Sequence, residues 1–540
     1  MGLSATQRER LQQIASEVKN IVGGCLHDDG RPMTFAELEE ECIEAGDLLT
    51  AAMLQQRVAQ RQPSEEAPCC PTCQWQGTPD TDDEARVLQT DRGEVAWMEP
   101  AYHCRHCRRS FFPRSAELGL AVEDNVSPRV LAKMVYSGTS AASFAEASKD
   151  LAKLADLAIS DERVRRACTR VASDRIDQHQ RLQEAYQSKS LPEQAHGKPA
   201  DVEAPEIACV MGDGGRYQLL DRSLPASGHR SAHKGEHWKE SRIGLLASMS
   251  GERHEVDPQP TLPPELRYAA MAEKLSEIEK TGAKLDPLEE ATEDDTALED
   301  ISSAANSDGL VGPTLEQRSV VASRQSWETF GPLLASQAWY RGFAAAARKV
   351  FVSDGSATIE KLQRTNFSQY TSVLDILHAL SYSLAAARAV SNDEASAEQK
   401  YDAWAAKIWE GRVEDVIDEL IAYGTKLGEP PPGAGRDDPR EVIRVSRGYY
   451  ENHAERMDYP RYRREGFPLT SSLMESTVKQ VSRRVKGSEK YWSSAGGEGM
   501  LRLRGEYLSD DDPMSEYWSS RSREACGTRA YRAAGDTVYN

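Results

Sequence analysis

The sequence predicts a mixed α/β protein built from several parts, on three observations. Short β-prone apolar runs fall near residues 207 to 212, 216 to 220, 243 to 249 and 349 to 353, with a helix-length pattern at 327 to 348 before the last of them. Strands with a helix between them pack as layers around one core. Two Cys-x-x-Cys pairs lie in the first quarter of the chain, and most of the remainder reads as helix, including a long helical stretch from about 376 to 458. A chain of 540 residues is long enough for three or four domains at roughly 100–200 residues each.

Residues 1 to 62 form a predicted N-terminal helical region, in which Thr34-Phe-Ala-Glu37 fits a capping box opening a helix at Phe35. The region serves either dimerisation or ordinary packing. Residues 63 to 115 follow as a predicted zinc ribbon. Cys70 and Cys73, then Cys104 and Cys107, are separated by 30 residues, and two such turns donate four thiolates to one tetrahedral Zn²⁺. The polar stretch Thr78 to Glu84 is expected to loop out. Cys69 competes with Cys70, but only Cys70 gives the two-residue gap, and His103 and His106 stand beside complete ligand pairs. Arg105, Arg108 and Arg109 on the second knuckle are candidate phosphate contacts, or simply solvated. Residues 116 to 187 read as helices, with Ser143 to Ala155 and Ser160 to Arg175 as the pair. Arg163, Arg165, Arg166 and Arg170 on the second helix fit either a helix-turn-helix that reads DNA or a helical hairpin with a charged face. A polar, proline-bearing linker is expected from 188 to 203.

The α/β core is expected in three pieces: 204 to 250, 319 to 378 and 466 to 510. Asp213 closes the run Ile207 to Met211 in an Asp-Gly-Gly turn, and Asp354 follows Lys349 to Ser353 and precedes Gly355. Glu475 rides a helix whose apolar positions Met474, Val478, Val481 and Val485 recur at helical spacing. Three hard carboxylates of this kind are the donor set for two Mg²⁺ or Mn²⁺ ions in phosphoryl transfer. Either aspartate alone also fits plain turn chemistry, and Ser472 to Glu475 also fits a capping box. Lys479, Arg483, Arg484 and Lys486 extend the glutamate's helix into a basic ridge suited to a phosphate backbone. Residues 370 to 374 read as a further strand delivering Asp375 and His378, where His378 either orients a carboxylate or is a buried structural histidine. The order of three strands, a helix and a strand is that of an RNase H-like core. Residues 379 to 465 would be an all-helical insertion, in which Trp404 and Trp409 either stack on a base or pack its interior.

The net charge of −20 argues against nucleic-acid binding until its distribution is considered. Residues 252 to 315 hold 16 Asp or Glu against 5 Lys or Arg, whereas 461 to 490 hold 8 basic and 3 acidic side chains. The acid is concentrated in a predicted flexible insertion, 251 to 318, that is either solvated or competes with DNA for basic surfaces. Residues 511 to 540 read as a C-terminal tail. Ten cysteines suit metal ligation and buried thiols in a reducing compartment. No apolar run approaches the roughly 20 residues of a membrane span, and the N-terminus lacks a signal-peptide pattern, so a cytoplasmic bacterial protein is expected.

In order, Cys70-Pro-Thr-Cys73 with Tyr102-His-Cys104-Arg-His-Cys107, Val210-Met-Gly-Asp213-Gly-Gly, His237-Trp238-Lys-Glu240, Val352-Ser-Asp354-Gly, Asp375-Ile-Leu-His378, Arg456-Met-Asp-Tyr459, Gly466 through Glu475, and Arg484 through Trp492 resemble the DDE transposases of bacterial insertion sequences, specifically the ISKra-type branch. The resemblance covers most of the chain. It implies that Asp213, Asp354 and Glu475 are the catalytic acids and that Asp375 and His378 are an Asp-x-x-His signature supporting the site. It also implies two Mg²⁺ or Mn²⁺ ions, one structural Zn²⁺, terminal inverted repeats and target DNA as partners, at least a dimer, and a nucleoid-associated place in the cell. The chain departs from the family in the Leu-Thr-Ser-Ser run before Met474, where a glycine is common, and in the long acidic insertion between Trp238 and Asp354.

Overall fold

The computed structural model describes residues 4–60, 68–80, 84–220, 237–280, 310–487 and 490–528. The chain is mixed α/β and divides into two compact units, one of Met1–Ser137, Ala145–Val164 and Met514–Asn540, the other of Gly138–Phe144 and Arg165–Pro513.

In the first unit, α1 (Ala5–Val22) and α2 (Phe35–Gln60) precede the cysteine region. The capping box at Thr34 is present: Glu37 N donates to the Thr34 hydroxyl at 3.4 Å, and Thr34 N donates back to the Glu37 carboxylate at 2.7 Å. Strands β1 (Thr78–Pro79), β4 (Tyr102–Cys104) and β5 (Arg109–Phe111) make a three-stranded antiparallel sheet. Between them the chain forms a hairpin, β2 (Glu84–Thr90) and β3 (Gly93–Glu99); of the stretch expected to loop out, Thr78 and Pro79 are β1, Glu84 opens β2, and 81–83 lie outside the described residues. The hairpin buries Leu88, Val95 and Trp97 with Val58 of α2 and Leu120. That apolar cluster explains the long spacer between the two cysteine pairs. Helices α3 (Pro113–Glu117), α4 (Pro128–Ser140) and α5 (Phe144–Ala155) follow, and α6 (Asp161–Gln187) is one continuous helix of 27 residues.

The second unit holds α7 (Leu191–His196), inside the expected linker, and the main sheet. Strands β6 (Ile207–Leu219), β7 (Trp238–Ser250) and β8 (Thr314–Ser323) run antiparallel in sequence. After α8 (Tyr268–Lys280, between β7 and β8) and α9 (Trp327–Tyr340), β9 (Arg348–Ser353) returns parallel to β6. Helix α10 (Ala357–Asn366) leads to β10 (Thr371–Leu374), parallel to β9. The sheet order is β10-β9-β6-β7-β8. Its core is apolar on both strands and helices, with Val210, Leu246, Val321, Phe330, Leu334 and Phe351 among the fully enclosed residues. Helices α11 (Ile376–Val390), α12 (Glu394–Trp409), α13 (Val413–Leu427) and α14 (Pro439–His453) pack on one another and on α8. Then come α15 (Tyr459–Glu465), α16 (Ser472–Val485), a short β11 (Tyr491–Trp492) on β6 and α17 (Ser494–Tyr507), whereas α18 (Pro513–Arg523) belongs from Met514 onward to the first unit.

Four expectations need correction. The runs 207 to 212 and 216 to 220 are one strand, because the glycines between them are paired: Gly214 lies opposite Arg242 and Gly215 opposite Ser241. The glycines mark close approach rather than a turn, since a Cβ on Gly215 would stand 2.7 Å from the Ser241 hydroxyl and one on Gly214 2.9 Å from the Glu240 carboxylate, so those side chains would have to shift. The third strand is β8, from a stretch assigned partly to the acidic insertion. That insertion is also not flexible throughout: Leu262 and Leu266 are buried, Asp257 pairs with Arg463, and the Trp409 indole donates to Gln259 O at 2.8 Å. Its most acidic part, 281 to 309, lies outside the described residues. Finally, the expected tail is structured through Thr528, with Phe112 N donating to Gly527 O at 2.8 Å and Thr528 bridged to Phe111.

Candidate active site and cysteine cluster

Parallel pairing brings the sequence's aspartates to one edge of the sheet. Met211 of β6 lies opposite Val352 of β9, so Asp213, still within β6, and Asp354, just past β9, each two residues further on, lie at the same level. Leu374 of β10 lies opposite Ser353, and Asp375 N donates to Ser353 O at 2.8 Å. Asp354 and Asp375 therefore sit just past the carboxyl ends of β9 and β10, beside Asp213 in the middle of β6, two residues beyond its last pair with β9. Alternation along a strand puts Asp213 on the side of Met211 and Asp354 on the side of Val352.

Asp375 is fully buried and takes no solvent-facing role. Its Oδ1 caps α11, accepting from Leu377 N at 2.7 Å and His378 N at 3.3 Å. Its Oδ2 accepts from Ser471 N at 2.6 Å and from the Ser471 hydroxyl. One carboxylate thus ties the start of α11 to the start of α16. Burial pushes its pKa up, but His378 and Ser471 more than offset this and hold it below the usual carboxylate range.

Helix α16 packs on β6 and β7 and carries Glu475 in its first turn. The capping-box alternative for Glu475 is not what forms: the helix is preceded by Ser471, whose amide and hydroxyl both go to Asp375, and no side chain caps the helix. Asp354 makes a local turn, accepting from Ser356 N at 2.9 Å, while Gly355 adopts φ 96°. The Tyr449 hydroxyl fixes this corner by donating to Asp354 O at 2.9 Å.

The electrostatics record that these groups share one site. Burial, then the charges of Asp354 and Glu475, raise the Asp213 pKa to about 7 against the pull of the Gly214 amide and His378. Burial lowers the basicity of His378, but Asp375, Asp354 and Glu475 raise its pKa to about 9. The charges of Asp375, Asp354 and Glu475 thus favour the cationic form of His378. Its Nδ1 lies 3.7 Å from Asp375 Oδ2, an ion pair rather than a hydrogen bond. Among the described residues the carboxylates do not form a group with all ligand oxygens within 4.8 Å; only the cysteines meet that spacing.

Cys70, Cys73, Cys104 and Cys107 offer sulfurs all within 4.8 Å of one another, close enough to bind a metal ion. The two knuckles use the same backbone device, with the residue after each second cysteine left-handed: Gln74 at φ 63° and Arg108 at φ 54°. Cys107 N donates to Cys104 Sγ at 3.4 Å. Burial opposes ionisation of Cys70, yet the amides of Cys73 and Thr72 and the neighbouring thiols bring it down to about 7, whereas the adjoining thiols push Cys107 up to about 12. Such a set readily yields a thiolate and gains by exchanging protons for a cation. Cys69 is exposed and outside the group.

The other candidate positions divide. Arg105, Arg108, Arg109 and Arg483 are exposed, and Lys479 and Lys486 half-buried. Arg484 does not reach solvent. It is 3 % exposed, donates to Gly138 O at 3.0 Å and Ala142 O at 3.4 Å, and lies over the rings of Phe144 and Trp492. It faces inward because α16's apolar stripe passes through Val481 and Val485 and takes Arg484 with it. Trp404 and Trp409 are buried, their indoles bonded to Glu419 and Gln259, so they pack the helical region. Tyr449 and His453 were not singled out from sequence, and Ser471 and Arg456 entered only as members of resembling segments without a role. Tyr449 and His453 share a face of α14 at i, i+4, which was the available signal. Arg456 reaches Ser353 Oγ at 3.4 Å and His453 Nδ1 at 2.5 Å.

No protein-family model matches the chain, and no curated protein matches it. Among the described residues no helix is long and apolar enough to cross a membrane.

Proposed function

We propose that the chain is a DDE-type DNA transposase with an RNase H-like core, cutting the ends of its own element and transferring the 3′-hydroxyl strand. One observation carries this reading: Asp213 within β6, Asp354 just past the paired β9 and Glu475 on α16 share one site, where burial and then the charges of Asp354 and Glu475 raise the pKa of Asp213. Burial and like charge push such crowded acids toward the neutral form, a cost that a bound cation would relieve. The sheet order, with an antiparallel β6-β7-β8 and parallel β9 and β10, supports the RNase H-like assignment.

Asp213, Asp354 and Glu475 would hold two Mg²⁺ or Mn²⁺ ions, which supply activation of the attacking oxygen and stabilisation of the leaving oxygen. The chain's own groups do the rest. Asp375 and Ser471 position α16 so that Glu475 comes within electrostatic range of Asp213 and His378. Cationic His378 lowers the cost of gathering the acids before a metal binds. Tyr449 and Gly355 set the turn that presents Asp354. Arg483, Lys479 and Lys486, running on from Glu475 along the same helix, would take phosphates next to the scissile bond. The four cysteines fit one structural Zn²⁺. A dimer is the smallest assembly that joins two ends.

The test is Mg²⁺- or Mn²⁺-dependent cleavage of a plasmid carrying the DNA that flanks the gene, with wild type, Asp213→Asn, Asp354→Asn and Glu475→Gln. Cleavage at the element ends, lost in each variant while DNA binding survives, upholds the reading. Hydrolysis without any joined product would point to a nuclease, and binding without cutting to a non-catalytic regulator.

A further inference from the structure

We propose that the tip of the cysteine ribbon binds DNA at unpaired bases, Trp75 stacking on a base while Arg105, Arg108 and Arg109 hold the adjoining phosphates. The inference rests on the reading above only in taking DNA as the polymer. Trp75 follows the first knuckle and is 63 % exposed. One face of its indole is covered by His106 of the second knuckle, with ring centroids 5.3 Å apart and planes 11° from parallel. This orders the indole without burying it, so its opposite face is a rigid, solvent-facing platform. Among the described residues no other ring or cation lies on it.

Charge around the platform is one-sided. Residues 68–80 and 101–112 contain three arginines and a single acid, Asp80. Arg105, Arg108 and Arg109 are all exposed, and none makes a side-chain ion pair among the described residues, in a chain whose net charge is −20. Arg108 even occupies a left-handed backbone position that glycine would fill at less cost. Unpaired guanidinium groups beside an ordered aromatic face are the combination that binds single-stranded nucleic acid: phosphates neutralised along the backbone, a base stacked on the ring, little sequence preference. A duplex keeps its base faces covered, so the platform selects frayed or single-stranded ends.

The test uses the full chain, zinc content measured, with no Mg²⁺ added. Binding of a short single-stranded DNA oligonucleotide, its duplex and the same sequence as RNA is followed by fluorescence anisotropy for wild type, Trp75→Phe, Trp75→Ala and the triple Arg105→Ala, Arg108→Ala, Arg109→Ala. Trp75→Ala should weaken single-strand binding by about 5- to 100-fold, the range for one base on an aromatic ring, and leave duplex binding unchanged. Trp75→Phe should retain most of the affinity. The triple variant should reduce the slope of log K against log salt by about 2 on the single strand. Equal single-strand affinity of Trp75→Ala and wild type at equal zinc content, or a preference for RNA, would overturn the proposal. The readout is binding alone with no Mg²⁺ present, so failure of the cleavage reading and failure of the stacking proposal are separate outcomes.

Discussion

Asp375→Asn should weaken the fold before it touches the chemistry. Asparagine can keep one oxygen toward Leu377 N and His378 N, but its amide then meets the Ser471 amide, donor against donor, where Oδ2 now accepts at 2.6 Å. The substitution also removes the charge 3.7 Å from the His378 ring. Hydrogen bonds to a charged group contribute roughly 1.5–3 kcal/mol each, and leaving a buried charge without its partner costs about 3–5 kcal/mol. A loss of about 3–5 kcal/mol is therefore expected, a large part of the roughly 5–15 kcal/mol of a typical domain. The assay is urea unfolding, together with hydrogen exchange at the amides of Leu377, His378 and Ser471, whose protection should fall together. Ser471→Ala should show part of the same loss and be non-additive with Asp375→Asn. Unchanged stability and protection, with activity abolished, would refute the reasoning and make Asp375 a group acting on metal or substrate.

Arg484→Ala should cost about 2–4 kcal/mol by removing a buried guanidinium that brackets Gly138 and Ala142. Arg483→Ala, one residue earlier and exposed, should leave stability unchanged and lower the salt slope of DNA binding by about 1; the reverse pattern would exchange their roles. Gly355→Ala should destabilise by about 1–3 kcal/mol, because φ is 96° and a Cβ would stand 3.1 Å from His453, Leu374 and Tyr449; a neutral melting curve would refute this. The Asp213 pKa is raised, to about 7, so its contribution to metal-free stability is complete below the unfolded value near 4 and is lost as pH rises through 7. The gain in melting temperature from added Mg²⁺ should therefore be larger at pH 8 than at pH 6, and a flat or opposite trend would remove Asp213 from the metal ligands.

Local chemistry made part of this protein readable in one dimension. The two Cys-x-x-Cys pairs are a complete donor set wherever the chain brings them, and Thr34 with Glu37 caps its helix within four residues. Strands β9 and β10 were legible as short β-prone runs, Val350 to Val352 and Val373 to Leu374 being their apolar parts. Other features misled for physical reasons. Gly214 and Gly215 look like a turn, yet they lie where Ser241 and Glu240 crowd a continuous strand. Arg484 looks like the next member of a basic ridge, although the helix's rotation carries it among Phe144 and Trp492. The hairpin that fills the cysteine spacer is recognisable only when Val58, some thirty residues before it, closes its core.

The sequence by itself determined the inventory: four thiols at knuckle spacing, acids after β-prone runs, a glutamate on an amphipathic helix, and acid and base segregated along the chain. Those properties reside in neighbours along the backbone, so propensity and spacing report them. Tertiary structure decided which acids face one another and what each does there. Parallel register placed Asp213 level with Asp354, Asp375 became a fully bonded tie between two helix starts, and the packing of α16 brought Glu475 within electrostatic range of Asp213 and His378. Such assignments depend on contacts between residues some twenty to two hundred and sixty positions apart, whose energies no local window contains.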